Sequence, residues 1–240
     1  TLSPHYCMPK KYRLFPFLSL LLFFQTTWAA ETTPSTVSSL KLELDTVWIV
    51  VAGCLVFFMQ TGFAMLEAGM VRAKNTVNVI LKNYTDMCFG AIAFWLVGFG
   101  LMFGTNNSGF VGTSHFFLGN AQDMNYSILF FQIMVAATAA TIVSGALAER
   151  VRFQTYLVAC VLITAVIYPI YGSWVWGGQF FPDQGIGWLK KLGFQDFSGG
   201  SVVHSVGGWC SLAGIIVLGP RLGKYDTEGK PRAIAGHNLP

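Results

Sequence analysis

The sequence predicts an all-α integral membrane protein, a polytopic bundle of membrane-spanning helices. Three observations predict it. Only 11% of the 240 residues are charged, against roughly 25% in soluble domains, and 53% are apolar. Five stretches reach the roughly 17–25 predominantly apolar residues that cross a bilayer, at about 47–71, 87–103, 127–148, 154–181 and 198–219. Basic residues gather in alternate loops between those stretches. All five are expected to be helices, because an open sheet edge in lipid would leave backbone groups unpaired. Pro169 interrupts the fourth stretch and is expected to kink it.

Ahead of the spans, residues 1–29 read as a secretory signal peptide. Lys10, Lys11 and Arg13 precede an apolar core at 14–24, and the small residues Ala29 and Ala30 follow. An uncleaved extra helix is the alternative reading. Residues 30–240 then form one membrane domain, without an internal linker, low-complexity stretch or internal repeat.

Loop charge sets the orientation. Arg72 and Lys74 follow the first span, Arg150 and Arg152 the third, and Arg221, Lys224, Lys230 and Arg232 the fifth. The opposite side holds only Lys41, Lys190 and Lys191, and the 104–125 connection has no Lys or Arg. The basic loops belong in the cytoplasm, so the mature N-terminus is expected outside a plasma (inner) membrane, as the signal peptide also requires. A net charge of +4 spread over short loops implies no nucleic-acid surface. Five cysteines without paired spacing, four of them in apolar runs, are packing residues, and neither a metal site nor a cofactor is implied.

Ionisable and aromatic residues inside the spans are the informative ones. Phe131 and Gln132 fall in the outer third of the third span, and Trp174 and Trp176 near the outer end of the fourth. Asp196 stands at the outer mouth of the fifth, with His204 about 12 Å deeper at the helical rise. Aromatic faces attract a cation, and a neutral imidazole offers one donor and one acceptor to a small polar guest. Each residue also has a plain reading. Outer tryptophans are commonly interfacial belt residues, a mid-membrane histidine can be packed core, and Asp196 in Asp-Phe-Ser-Gly is best read as a helix cap. Glu67 and Asp86 are expected to pair with Arg72, Lys74 or Lys82. The recurring glycines and small residues, Gly145 and Ala148 among them, signal close helix packing. An intramembrane enzyme built on His204 and Asp196 lacks a nucleophile at a convincing spacing.

The segment from Asp196 to His204 (DFSGGSVVH), continuing through Gly219-Pro-Arg221, resembles the signature of the ammonium transporter/methylammonium permease/Rhesus family. Arg72-Ala-Lys-Asn75, Phe94-Trp-Leu-Val-Gly98, residues 136–150 (AATAATIVSGALAER) and Trp176-Gly-Gly178 agree with it. The closing His237-Asn-Leu-Pro resembles the lead into a sixth helix. The likeness runs from about residue 46 onward and favours the ammonium transporter branch over a Rhesus-like gas channel.

That resemblance implies a homotrimer of eleven-span subunits built as an inverted repeat, of which this chain is the first half. It implies ammonium as substrate, methylammonium as analogue, and possible control by a PII-type regulatory protein. By resemblance, Phe131 and Trp176 line an outer ammonium site with Gln132 beside it. Asp196 supports that site from beneath its rim, and His204 is the first of two pore histidines. The second histidine, an outer-site serine and a facing gate phenylalanine belong to later helices. Where the family usually reads Phe-Gln-x-x-Phe, this sequence has Val135, which leaves the gate without one ring. The alternative function is an ammonium sensor whose same pocket controls a C-terminal signalling domain.

Overall fold

The computed structural model describes residues 37–118 and 126–238, so the signal peptide expected at 1–29 lies outside the described residues. Two units are distinguished, residues 1–44 and residues 45–240. Within the first, the chain is described from Val37, where α1 begins.

The described residues include the helices α1 (Val37–Met70), α2 (Ala73–Phe103), α3 (Tyr126–Leu147), α4 (Phe153–Trp176), the short α5 (Trp188–Lys191) and α6 (Gly200–Leu218). All but α5 contain a stretch long and apolar enough to cross a membrane. No strand forms among the described residues. One antiparallel bridge, Tyr225 with Pro231, closes the loop after α6.

The second unit is built around α3, in which 15 of 22 residues are buried. Ala136, Ala137, Ala139 and Ala140 have no exposed surface. Their small side chains let α2 and α6 pack against this helix. By contrast α1 buries little besides Gly53, Gln60, Glu67, Ala68 and Gly69. Gly53, Gln60 and Glu67 recur every seven residues and so share one stripe of the helix. The opposite faces carry exposed Trp48, Leu55, Phe58 and Met65, as a surface in contact with lipid or further helices does.

The second span differs from its expectation in one respect. It begins at Ala73, not near residue 87, because the polar run Lys82-Asn83-Asp86 continues the helix. All three side chains are almost fully buried; Asn83 and Asp86 find partners on α1, α3 and α4, and Lys82 donates to the Val151 carbonyl in the loop before α4. Close ion pairs of Glu67 and Asp86 with Arg72, Lys74 or Lys82 do not form among the described residues, though the Lys82 charge acts on Glu67. Glu67 accepts from Asn83 and Ser144, and Asp86 from Tyr156 and Thr141, while Arg72 turns to Glu149 instead.

Three spans carry a π-helical turn: Phe94–Gly98, Ile163–Ile167 and Gly200–Ser205. In α4 this wider turn directly precedes Pro169, whose missing N–H the helix must accommodate. Gly98 packs there against Thr164 and Pro169.

At the basic end of the unit, Glu149 joins the loops. Its backbone lies in the left-handed region (φ 62°), unfavourable for a residue with a Cβ. Its carboxylate accepts from the backbone N–H of Arg72 (3.0 Å), Arg72 Nε (3.1 Å) and Asn75 Nδ2 (2.6 Å), and Arg221 lies 3.7 Å away. Arg150 donates to Gly219 O at 2.7 Å. The Arg72–Asn75 and Glu149–Arg150 motifs are thus two sides of one connection. Burial alone would raise the Glu149 carboxyl, but these hydrogen bonds and the Arg72 charge outweigh it and hold it at about 2.

Candidate functional site

The end opposite the basic loops is organised by Asp196. Its Oδ1 accepts from the backbone N–H groups of Gly199 (2.8 Å) and Gly200 (2.9 Å). Its Oδ2 accepts from Ser201 N (2.8 Å), Ser201 Oγ (2.7 Å) and Val202 N (2.7 Å). One carboxylate therefore satisfies four N–H groups that open α6 and have no partner within the helix. The capping expected for this residue is present. Burial pushes the Asp196 carboxyl up, but the hydrogen bonds from Val202, Ser201 and Gly199 prevail and hold it below its ordinary range. Gly199 makes the tight approach possible: its φ is +85°, and a Cβ there would lie 2.6 Å from Val203 Cγ2.

Asp196 also reaches α4. Its main-chain oxygen accepts a 2.7 Å hydrogen bond from the indole Nε1 of Trp176. The polar edge of the buried Trp176 ring is satisfied this way, and its orientation is fixed.

Phe131, Gln132, Val135, Trp176 and His204 meet around one cavity of about 470 Å³. Five of the six residues singled out in the sequence are thereby brought together by α3, α4 and α6. Asp196 is the exception. It lies against a neighbouring hollow with Lys190 and Phe194, and acts on the cavity through Trp176 and the start of α6. Burial pulls the Lys190 ammonium below its ordinary range.

The cavity has residues that sequence reasoning missed. Val56 and Met59 come from α1, Thr138 from α3, and Gln179, Phe180, Phe197 and Ser198 from the loops after α4 and before α6. Thr138 had a legible signal, a polar residue six positions beyond Gln132 on a helix. The loop residues had none, because their placement depends on how the chain returns from α4.

Gln132 is 1% exposed and its Oε1 has no hydrogen-bond partner among the described residues. A buried amide oxygen beside an aromatic cavity is an acceptor waiting for a donor. His204 sits in the π-helical turn Gly200–Ser205, which displaces its ring from the regular helical position. Val135 contributes an aliphatic face to the cavity wall. The arrangement offers the aromatic rings of Phe131, Trp176, Phe180 and Phe197, the unpaired Gln132 amide oxygen and one imidazole, and no carboxylate among its lining residues. It suits a small cation able to donate hydrogen bonds and give up a proton.

The sequence matches the Ammonium Transporter Family over residues 47–240. It is 50% identical over 211 residues to Ammonium transporter Amt2 of Archaeoglobus fulgidus, which covers 83% of this chain and 43% of the relative. Among solved structures, a Sensor Amt Protein superimposes with a TM-score of 0.79 at 42% identity, over 84% of this chain and 50% of the other. Candida albicans Mep2 gives 0.67 at 30% identity, over 81% and 43%. The chain spans about half the length of the relatives it matches. With its five membrane-length helices and its matching sequence from residue 47 onward, the chain belongs to the ammonium transporter family.

Proposed function

We propose that the full-length protein carries ammonium across the plasma membrane, with the basic loops in the cytoplasm and the mature N-terminus outside. The observation that carries this reading is the convergence of Phe131, Trp176, Gln132 and His204 on one cavity. Ammonium arrives at the Phe131 and Trp176 rings, where cation–π attraction offsets part of its lost hydration. Gln132 Oε1 accepts one of its N–H groups. The cation gives up a proton at this level, and neutral ammonia passes His204 toward the cytoplasm while the proton crosses separately. Potassium is rejected because it cannot become neutral, and an unpaired ion in an apolar passage is costly.

The working unit is a homotrimer whose later helices complete each pore, and a PII-type protein is the candidate regulator at the cytoplasmic face. Methylammonium is the natural tracer. In full-length His204→Ala, methylammonium uptake into cells should be abolished or lose its selectivity. Unchanged, selective uptake would contradict this role.

A second reading is favoured by Val135 and by the similarity to the Sensor Amt Protein. In it the same cavity binds ammonium and controls a signalling domain. Ammonium binding without flux, together with an ammonium-dependent signalling output, distinguishes it.

A further inference from the structure

A second polar centre lies inside the bundle toward the basic end, between α1, α2, α3 and α4. Glu67 is 6% exposed, Lys82 1% and Asp86 0%. Two carboxyls and one ammonium therefore share a buried cluster, and Glu67 interacts electrostatically with both of the others. With every group ionised the cluster carries one uncompensated negative charge. A single added proton makes it neutral, the form that burial favours.

Hydrogen-bond accounting points to the same proton. Thr141 Oγ1 lies 2.7 Å from Gln60 Oε1 and 3.2 Å from Asp86 Oδ1, two acceptors for one hydroxyl proton. Tyr156 Oη lies 2.6 Å from Asp86 Oδ2 and 3.2 Å from Ala140 O, again two acceptors for one proton. Turning the Gln60 amide so that its NH₂ donates to Thr141 leaves Thr141 to donate to Asp86, and the cluster still has more acceptors than protons at Tyr156, Glu67 and Asn83. Three further atoms have no partner among the described residues: Glu67 Oε1, Asn83 Oδ1 and Gln60 Nε2. Glu67 and Asn83 are joined through Glu67 Oε2 and Asn83 Nδ2 at 2.8 Å, so both unpaired acceptors belong to this cluster.

Glu67 is also the cluster's outlet. It lines a cavity of about 290 Å³ shared with Gly145 and Arg221. Gly145 leaves room for the free oxygen, since a Cβ there would lie 3.2 Å from Glu67 Oε1. Lys82 donates to Val151 O at 3.1 Å and sits 5.6 Å from the centre of the Tyr156 ring. Cys160 bonds the main-chain oxygen of Asp86 and presents no charge to the carboxyls.

We propose that Asp86 and Glu67 form a second proton-holding site, which keeps one exchangeable proton and releases it through Glu67 to the cytoplasmic end. The proposal deepens the transport reading and rests on it for the origin of the proton. An N–H bond of ammonium breaks at the outer cavity, leaving ammonia. The resident proton first passes from Asp86 to Glu67 and is lost to water, and the emptied Asp86 carboxylate then forms a new O–H bond with the proton that ammonium released, relayed through water.

The test uses full-length protein in lipid and two readouts. Infrared spectroscopy of the wild type at neutral pH should show a protonated carboxyl C=O band. That band should vanish in Asp86→Asn or Glu67→Gln, and shift in Tyr156→Phe, which keeps the ring and removes one hydrogen bond. In proteoliposomes, charge moved per methylammonium should fall at least tenfold in Glu67→Gln and partly recover in Glu67→Asp. If the acid variants fail to fold, the wild-type band and its response to Tyr156→Phe decide. Absence of the band, or a band and charge ratio that none of these variants changes, overturns the proposal. The infrared readout needs no ammonium, so a wild type with the band but without ammonium flux would defeat the transport reading and leave the proton site standing.

Discussion

Trp176 and Asp196 are joined by a 2.7 Å hydrogen bond from the indole Nε1 to the main-chain oxygen, while the Asp196 carboxylate caps the first turn of α6. One residue thus fixes both the aromatic wall and the helix that carries His204. Its contribution to the site is positional, and its carboxylate has five donors of its own.

Asp196→Ala removes all five contacts and should destabilise the protein by at least the roughly 0.5–2 kcal/mol typical of a lost cap. Asp196→Asn keeps the shape but replaces one acceptor oxygen with a donor facing N–H groups, so it should rescue little. Thermal unfolding in detergent measures both. An Asn variant as stable as the wild type would show that the carboxylate charge is not what orders α6.

Trp176→Leu should weaken apparent methylammonium affinity about 2–30-fold, the range corresponding to a lost cation–π contact of roughly 0.5–2 kcal/mol. Trp176→Phe retains a ring but loses the tie to Asp196, and should fall between the two. Concentration-dependent uptake is the measurement. Equal affinities in all three proteins would remove the aromatic recruitment step.

Val135→Phe adds a ring to the cavity wall and narrows the passage. Methylammonium uptake should fall relative to ammonium transport, because the larger cation meets the constriction first. An unaltered ratio would show that Val135 does not stand at the narrowest point.

Glu149 supplies a pH dependence. Its folded carboxyl is held at about 2, below the ordinary 4.5. The stabilisation is complete above the ordinary value and is lost as pH falls through the folded one. The unfolding temperature should therefore drop between pH 4.5 and 2, and Glu149→Gln should reduce that slope while lowering stability at neutral pH.

Much of this was legible in the sequence, for definable reasons. Composition and span length predicted the helices, since lipid permits few alternatives to them. Phe131, Gln132, Trp176 and His204 were legible because polar and aromatic residues at membrane depth stand out against an apolar background, whereas Val135 stood out only against the pattern of the family that the sequence resembles. The start of α2 was not. Lys82, Asn83 and Asp86 look like a boundary in sequence, and only their partners on α1, α3, α4 and the loop between α3 and α4 let the helix continue through them. The pairing of Glu67 with Arg72 failed for the same reason, since Arg72 is near in sequence but in space serves Glu149, while Lys82 acts on Glu67 through its charge without a close ion-pair contact. The loop residues Gln179, Phe180 and Phe197 reach the cavity by tertiary placement that no local pattern encodes.

The most direct test of ammonium transport is the current evoked by an ammonium pulse on proteoliposomes holding the full-length protein, with potassium as the control. A saturable ammonium current with no response to potassium is the expected result. An equal potassium current, or silence in a preparation that still binds ammonium, would contradict it.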